Sequence, residues 1–158
     1  MSTTAALQDQ IPHNHCWGCG PLNPDGLQIK SYLEGAETVC TFMPYAQHMA
    51  GPVHVVNGGI IATVIDCHSI CTAIAHAYAA EGRAIGSTPE IWCATASLSV
   101  EYLRPTPIAA PMVLHARVTG SEGRRTTVAC TVFSGETEVA RAEVLAVRVR
   151  ESWRHGAR

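Results

Sequence analysis

The longest apolar segment of the chain runs from Asn57 to Ala80 and has no proline and no glycine after Gly58-Gly59. Asparagine is a favoured N-cap residue, so the pattern predicts one long helix that begins at Asn57. Apolar residues occupy every face of this helix, which predicts that it is buried rather than half exposed. A single carboxylate, Asp66, interrupts the apolar run. Because an unpaired charge is costly to bury, Asp66 is the first candidate for chemistry.

Alternating polar and apolar residues on either side of this helix predict β-strands. A hairpin is predicted before the helix, with one strand from Gly26 and a second over residues 38–43 after a turn at 34–37. The four strands predicted after the helix are 95–103, 112–118, 126–133 and 139–149. Short turns favour antiparallel neighbours, so these four strands are predicted to form a meander. The sequence therefore predicts an α+β domain in which an antiparallel sheet of about six strands wraps around one long central helix.

The length of the chain bounds its domain organisation. With 158 residues, of which 47% are hydrophobic, the chain is long enough for one core and short for two. We expect a flexible N-terminal arm over residues 1–12, a single domain over 13–150 and a frayed C-terminal tail over 151–158.

Charge and cysteine content narrow the partners and the compartment. The formal net charge is −2 and 15% of the residues are charged, so no basic surface indicates nucleic acid or an anionic membrane. Asp66, His68 and His76 interrupt the apolar helix, which argues against a membrane span, and no secretory signal is recognised. Seven cysteines are typical of reduced thiols rather than of a disulfide framework. The expected location is the cytoplasm.

Four soft ligand residues lie within seven positions near the N-terminus: His13, His15, Cys16 and Cys19. Such a cluster is compatible with zinc, but a structural zinc site usually takes a second ligand pair from a distant segment. The sequence has no second CxxC or HxxxH, so we expect small buried thiols in a turn, no bound metal and no cofactor.

Four segments together resemble the PaaI-like branch of the hotdog-fold acyl-CoA thioesterases, over about residues 14 to 150. They are CWGCGPLNPDGLQI, GPVHVVNGGIIATVIDCHS, TASLSVEYLRPTPIAAP and GRRTTVACTVFSGETEVARAEVLAVRV. The resemblance implies a hotdog fold, hydrolysis of acyl-CoA, and a homodimer or homotetramer that is a dimer of dimers.

The resemblance also implies roles for individual residues. Asp66 would be the catalytic carboxylate, the backbone N–H of Gly58 the oxyanion donor, and the Thr95 hydroxyl a group that places water. The family usually has a histidine before the two glycines, whereas this chain has Asn57. Asparagine forms hydrogen bonds but carries no proton near neutral pH, so any role that needs an imidazole is absent at this position.

Thioester hydrolysis needs a group that activates or replaces water and a group that binds the developing oxyanion. A helix N-terminus presents unpaired N–H groups and a positive dipole end, and Gly58 and Gly59 let a substrate carbonyl approach closely. Asp66 serves either as a general base or as a nucleophile, or it is a structural charge in a dimer core. The residues alone leave these roles open.

The spacing of the two candidate groups predicts an oligomer. Asp66 follows Gly58 by eight positions, which is about 12 Å along one helix. Two groups so far apart cannot act on one carbonyl, so Asp66 of one subunit must face the glycine pair of another.

Several other residues have a catalytic and a structural interpretation. Arg124 and Arg125 bracket a predicted turn and are candidates for binding CoA phosphates. His68 is expected to be a core or interface histidine, His54 is a possible substitute for the missing histidine, and Cys67 and Cys71 are expected to pack in the helix. Two rival functions stay open: a hotdog hydratase or dehydratase that would need a histidine, and a non-catalytic protein that binds acyl thioesters.

Overall fold

The computed structural model of the chain describes residues 5–156. The elements in chain order are α1 Leu7–Gln10, β1 Ser31–Glu34, β2 Glu37–Phe42, a 3₁₀ turn Ala46–His48, α2 Gly58–Ala80, β3 Cys93–Tyr102, β4 Met112–Glu122, β5 Arg125–Ser134, β6 Thr137–Arg148 and α3 Glu151–Arg154.

The six strands form one antiparallel sheet in the order β1-β2-β4-β5-β6-β3. Helix α2 packs against this sheet, and the core lies between them. Side chains at alternate positions of β4, β5 and β6 point to this core; Leu114, Val128, Val132 and Val144 are fully buried. The prediction of an antiparallel sheet of about six strands around one long helix is confirmed.

Helix α2 matches the predicted helix at both ends. Asn57 is its N-cap, since the Asn57 side-chain oxygen accepts a hydrogen bond from the N–H of Gly59 at 2.8 Å. By length and composition α2 resembles a membrane span. However, 61% of its most apolar 18-residue segment is buried inside the fold. Within residues 5–156, α2 is therefore the core helix of the domain.

The four strands after α2 form at the predicted places, but they do not form a four-strand meander. Only β4, β5 and β6 follow one another in the sheet, while β3 lies at the sheet edge beside β6 and β4 pairs with β2. The connection from β3 to β4 is a long segment that contains Pro105, Pro107 and Pro111. Such a connection cannot close a tight hairpin, so β3 and β4 separate.

The first predicted strand begins later than its alternation pattern indicated. Leu27 and Ile29 are buried, as the alternation requires, but β1 starts only at Ser31. Gln28 has φ +55°, which breaks the extended conformation. The N–H groups of Leu27 and Ile29 instead donate to the carbonyl oxygens of Trp17 and Gly18, at 2.9 and 3.1 Å.

The segment predicted as a flexible arm is packed where the structure describes it, whereas the predicted tail forms an exposed helix that is held through Arg154. Leu7 and Gln8 of α1 are buried, and the Gln8 side-chain oxygen accepts a hydrogen bond from the N–H of Ser31 at 2.7 Å. In α3, Arg154 donates to Glu90 at 2.6 Å and lies over the ring of Trp92. Both segments are held by contacts with residues far away in the sequence. No local sequence pattern predicts such contacts. Residues 1–4 and 157–158 lie outside the described residues.

Candidate active site

Asp66 lies in the middle of α2. The first residues of strand β3 cross the helix at this point. The Thr95 hydroxyl donates a hydrogen bond to Asp66 Oδ1 at 2.6 Å. No hydrogen bond from residues 5–156 reaches the second carboxylate oxygen, Oδ2. The structure therefore brings together the two side chains that the sequence singled out, and it leaves one carboxylate oxygen able to accept a proton from water.

A cavity of about 190 Å³ opens in front of Asp66. Its walls are mostly apolar and come from α2, the start of β3 and the loop after α1: Ile11, Asn14, Cys16, Cys19, Cys67, Ile70, Cys71, Ile74, Trp92, Cys93, Ala94 and Thr95. Burial in this setting raises the pKa of the Asp66 carboxyl group above its usual range, while the hydrogen bond from Thr95 acts in the opposite direction. The cavity thus contains a partly desolvated carboxylate, which is the environment of a general base or nucleophile.

The second predicted element is the N-terminus of α2. The Asn57 cap uses the N–H of Gly59, whereas no described residue accepts a hydrogen bond from the N–H of Gly58. The Gly58 carbonyl oxygen accepts a hydrogen bond from the Tyr102 hydroxyl at 2.7 Å. The open N–H of Gly58 at the positive end of α2 can therefore bind a developing oxyanion. Gly59 acts through the cap instead of offering a second open donor.

Asp66 and Gly58 remain two separate half-sites within one chain. Both residues belong to α2, so their eight-residue spacing corresponds to about 12 Å along the helix. Strand β3 runs past both half-sites: Thr95 near its start contacts Asp66, and Tyr102 at its end contacts Gly58.

The two histidines considered for catalysis lie elsewhere. His68 is fully buried and its ring contacts the Ser31 hydroxyl at 2.8 Å and the Thr38 carbonyl oxygen at 3.2 Å. Burial lowers the pKa of His68 to about 4, so His68 is a neutral core histidine. His54 is exposed in the loop before α2. Within the described chain, no histidine lines the cavity that holds Asp66.

The two candidate arginines lie at the end of the sheet where β3 begins. Arg125 pairs with Val147, and Val147 pairs with Ala94 on its other side. Two strand spacings of about 4.8 Å therefore separate Arg125 from the residue next to Thr95. The Arg124 guanidinium donates to the Arg148 carbonyl oxygen at 2.6 and 2.8 Å, which ties Arg124 to the backbone.

Sequence reasoning missed two parts of this site. Tyr102 is a strand residue by pattern, and only the crossing of β3 and α2 reveals its contact with Gly58. The cysteines of the loop after α1 are far from Asp66 in sequence, yet the Sγ atoms of Cys16, Cys19 and Cys67 lie within 4.8 Å of one another. The sequence has no second CxxC or HxxxH, as stated above, but α2 brings the single residue Cys67 to these loop thiols.

A long helix wrapped by a six-stranded antiparallel sheet is the hotdog fold. The family model of the thioesterase superfamily matches residues 54–141, more than half of the chain, and the chain belongs to this superfamily. The match covers α2 with both half-sites and most of the sheet.

Individual relatives agree with this assignment. The chain is 30% identical over 127 residues to the acyl-coenzyme A thioesterase THEM4 of Rattus norvegicus, an alignment that covers 79% of this chain and 49% of that protein. The chain thus spans about half the length of the curated relatives it matches. A thioesterase superfamily protein from Shewanella loihica PV-4 is 30% identical, with a TM-score of 0.63 over 87% of this chain and 96% of that chain. The Escherichia coli PaaI protein shares the fold, with a TM-score of 0.64 and 14% identity over 78% of this chain and 81% of that chain.

Proposed function

We propose that this protein hydrolyses an acyl-CoA thioester to a free acid and CoA. The observation that carries the proposal is the hydrogen bond from Thr95 to Asp66 at the wall of an apolar cavity. Membership of the thioesterase superfamily and the likeness to an acyl-coenzyme A thioesterase support it. The predicted cytoplasmic location is kept as part of the proposal.

The geometry supports a specific division of roles. Thr95 holds one oxygen of Asp66, so the second oxygen is directed to a water molecule or to the thioester carbon itself. As a base, Asp66 takes a proton from water while hydroxide forms a bond to the carbonyl carbon; as a nucleophile, Asp66 forms a mixed anhydride that water then hydrolyses. In both routes the carbonyl oxygen becomes negative and binds the N–H of Gly58, and CoA leaves as a thiolate.

The two half-sites require a second subunit, and the sheet offers a way to recruit it. Strand β3 is an edge strand, and most of its residues are exposed. Antiparallel pairing of two β3 strands around a two-fold axis near residues 98–99 places Thr95 of one copy beside Tyr102 of the other. Asp66 of one subunit would then face Gly58 of its partner. The proposal is a homodimer, alone or within a dimer of dimers, with shared active sites.

The arginines at the same end of the sheet are proposed to contact the CoA phosphates. Arg125 is exposed close to the start of β3, on the sheet face opposite the core, so a nucleotide that extends from the cavity around the end of the sheet would reach it. Arg124 is more constrained because it already binds the Arg148 carbonyl oxygen. We therefore assign Arg125 the larger share of the phosphate contact.

The structure favours hydrolysis over hydration or dehydration. A hydratase on the same fold would use a histidine with the carboxylate. His68 is neutral, buried and engaged with Ser31 and Thr38, and within residues 5–156 no histidine lines the cavity of Asp66. A water-activating carboxylate with an oxyanion donor matches hydrolysis.

The test is release of free CoA thiol from a panel of acyl-CoA esters of increasing chain length. Wild-type protein should hydrolyse at least one ester, and the folded Asp66→Asn variant should lose this activity. Binding of acyl-CoA without thiol release by the wild type would instead support the non-catalytic alternative. Conversion of an enoyl-CoA to a hydroxyacyl-CoA would support the hydratase.

A further inference from the structure

One wall of the Asp66 cavity contains thiols that the proposed hydrolysis does not use. Cys16 and Cys19 come from the loop after α1, and Cys67 and Cys71 come from α2. We call these four residues the thiol cluster. The Cys16 and Cys67 sulfurs are 3.7 Å apart, and the sulfurs of Cys16, Cys19 and Cys67 all lie within 4.8 Å of one another. In a tetrahedral site with Zn–S bonds of ~2.3 Å, neighbouring sulfurs are separated by about 3.8 Å.

The loop backbone is shaped to bring its two thiols against α2. The N–H of Gly20 donates to the Cys16 carbonyl oxygen at 2.7 Å and closes the turn. A Cβ atom on Gly18 would lie 2.3 Å from the Cys67 sulfur, and one on Gly20 would lie 2.4 Å from the Cys16 nitrogen. Glycine is therefore required at position 18 for the loop to approach the helix this closely, and at position 20 for the turn itself to close.

Asn14 supports the arrangement from behind the turn. Asn14 is 3% exposed; its side-chain oxygen accepts a hydrogen bond from the N–H of Cys16 at 3.1 Å, and its amide nitrogen lies 3.8 Å from the Cys19 sulfur as a donor. Metal ligands in proteins are commonly oriented by such supporting hydrogen bonds. The two loop cysteines are thus held before any ligand binds.

The helix contributes two further thiols to the same wall of the cavity. Cys67 and Cys71 are four residues apart, so they lie on one face of α2, one turn from each other. Cys19, Cys67 and Cys71 are buried, whereas Cys16 is exposed. Exposure of Cys16 provides a path by which an ion can enter the cluster.

We propose that the thiol cluster binds one zinc ion, with Cys16, Cys19 and Cys67 as ligands and Cys71 as the fourth sulfur. Thiolate sulfur favours zinc over hard cations such as magnesium, and each thiol that binds releases its proton. The ion fastens the loop of residues 14–29 to α2 and fixes one wall of the cavity. The site uses no side chain that the proposed hydrolysis needs, although it borders the same cavity.

The first test measures binding in the full-length, reduced protein. After removal of metals with a chelator, titration with Co²⁺ should produce thiolate-to-cobalt charge-transfer absorption and the strong visible bands of tetrahedral cobalt. Zn²⁺ should displace the cobalt, and elemental analysis should find one zinc per chain. Saturating Zn²⁺ should raise the melting temperature. Absence of charge-transfer absorption would overturn the proposal, because it would assign any bound cobalt to nitrogen or oxygen ligands.

The second test uses matched cysteine variants. Cys16→Ser removes an exposed ligand and should leave the core intact, while Cys93→Ser changes a cysteine that lines the same cavity outside the thiol cluster. Substitution of residues that only support a metal ligand weakens metal binding by up to ~100-fold. Loss of a ligand itself should therefore weaken Zn²⁺ binding by at least this factor. Cys93→Ser should bind as the wild type does. Equal affinity in Cys16→Ser and wild type would overturn the assignment.

Two further outcomes separate this proposal from its rivals. Asp66→Asn should bind zinc normally even though it loses hydrolysis; loss of zinc there would make the carboxylate a ligand and overturn the thiol set. A protein that binds no zinc when reduced, but forms a Cys16–Cys67 disulfide with an added disulfide oxidant such as oxidised glutathione, would show a redox pair instead of a metal site.

Discussion

The Tyr102 hydroxyl donates a hydrogen bond of 2.7 Å to the carbonyl oxygen of Gly58. The bond joins the last residue of β3 to the first residue of α2, and so it fixes the helix N-terminus against the edge strand. The open N–H of Gly58 therefore has a defined position relative to β3. A subunit that pairs along β3 would meet this donor in a fixed place.

Replacement of Tyr102 by phenylalanine tests this relationship. Tyr102→Phe removes the hydrogen bond and keeps the ring beside Gly58. The net value of one such bond is about 1 kcal/mol, so kcat/KM should fall by about fivefold if the bond positions the oxyanion donor. Steady-state kinetics and a melting curve measure the effect. Unchanged kinetics together with a lower melting temperature would limit Tyr102 to stability.

The second prediction concerns the charge of Asp66. Asp66→Asn keeps the shape and removes the charge, so kcat should fall by at least ~10²-fold. Asp66→Glu should lose ~10²-fold as well, because the longer side chain displaces the carboxylate by about 1 Å. Since desolvation opposes the charged form, Asp66→Asn should melt at the same temperature as the wild type or higher. A folded Asp66→Asn oligomer with near-normal kcat would remove Asp66 from the chemistry.

The third prediction is a pH shift. Burial raises the pKa of Asp66, and the active form is the charged form, so activity should rise with pH above the usual range of an aspartate. The Thr95 hydrogen bond stabilises the charged form and lowers the pKa, so Thr95→Val should move the acidic limb of kcat/KM to higher pH. Thr95→Ser keeps the hydroxyl and should retain the wild-type profile. A Thr95→Val profile that coincides with the wild type would contradict the role of Thr95.

The same shift has a consequence for stability. Because the pKa is raised on folding, the folded state binds more protons than the unfolded state between the two pKa values. The contribution of Asp66 to the free energy of unfolding is fully present below the unfolded pKa and is lost as pH rises through the folded pKa. Asp66→Asn should abolish this part of the pH dependence, which urea unfolding at several pH values measures.

The fourth prediction is that two inactive chains restore activity when mixed. A Cβ atom on Gly58 would lie 3.5 Å from the Tyr102 ring, so Gly58→Ala should fold, but its methyl group should obstruct the substrate carbonyl. Loss of the oxyanion contact costs ~10²–10³-fold in kcat. A heterodimer of Gly58→Ala and Asp66→Asn has one intact shared site. Random mixing should therefore restore about a quarter of wild-type activity.

Complementation also has a clear opposite outcome. If each site were built within one chain, both chains of the heterodimer would stay defective and mixing would restore nothing. Analytical ultracentrifugation of the wild type provides the independent measurement, since a compact active monomer at micromolar concentration would rule out shared sites.

The fifth prediction concerns the cap of α2. Asn57→Ala removes the side-chain acceptor for Gly59 and should lower the free energy of unfolding by about 1 kcal/mol, while measurable hydrolysis remains. Asn57→Asp retains an acceptor and should keep most of the stability. Asn57→His should also stay active. Complete loss of hydrolysis in a folded Asn57→Ala oligomer would give Asn57 a direct part in the chemistry.

Local sequence patterns were sufficient for the long helix, for the strands that follow it and for half of the site. Asn57 and the uninterrupted apolar run define α2, because capping and burial act over a few neighbouring residues. Alternation located the strands after α2 for the same reason. Asp66 was identifiable as a lone carboxylate in an apolar helix. The eight-residue spacing from Gly58 indicated two half-sites, because the rise of a helix per residue is constant.

The tertiary structure decided which elements meet. Leu7 and Gln8 are ordered by partners far along the chain, β3 joins the edge of the sheet instead of a meander, and Tyr102 reaches Gly58 across that edge. The contact of Cys16 with Cys67 closes a separation of 51 residues. Local propensity carries no information about such pairings, because they depend on how the sheet wraps the helix. The sequence alone thus determined the long helix, most of the strands and the catalytic candidates, and the fold determined the terminal helices, the cavity, the exposed edge and the thiol cluster.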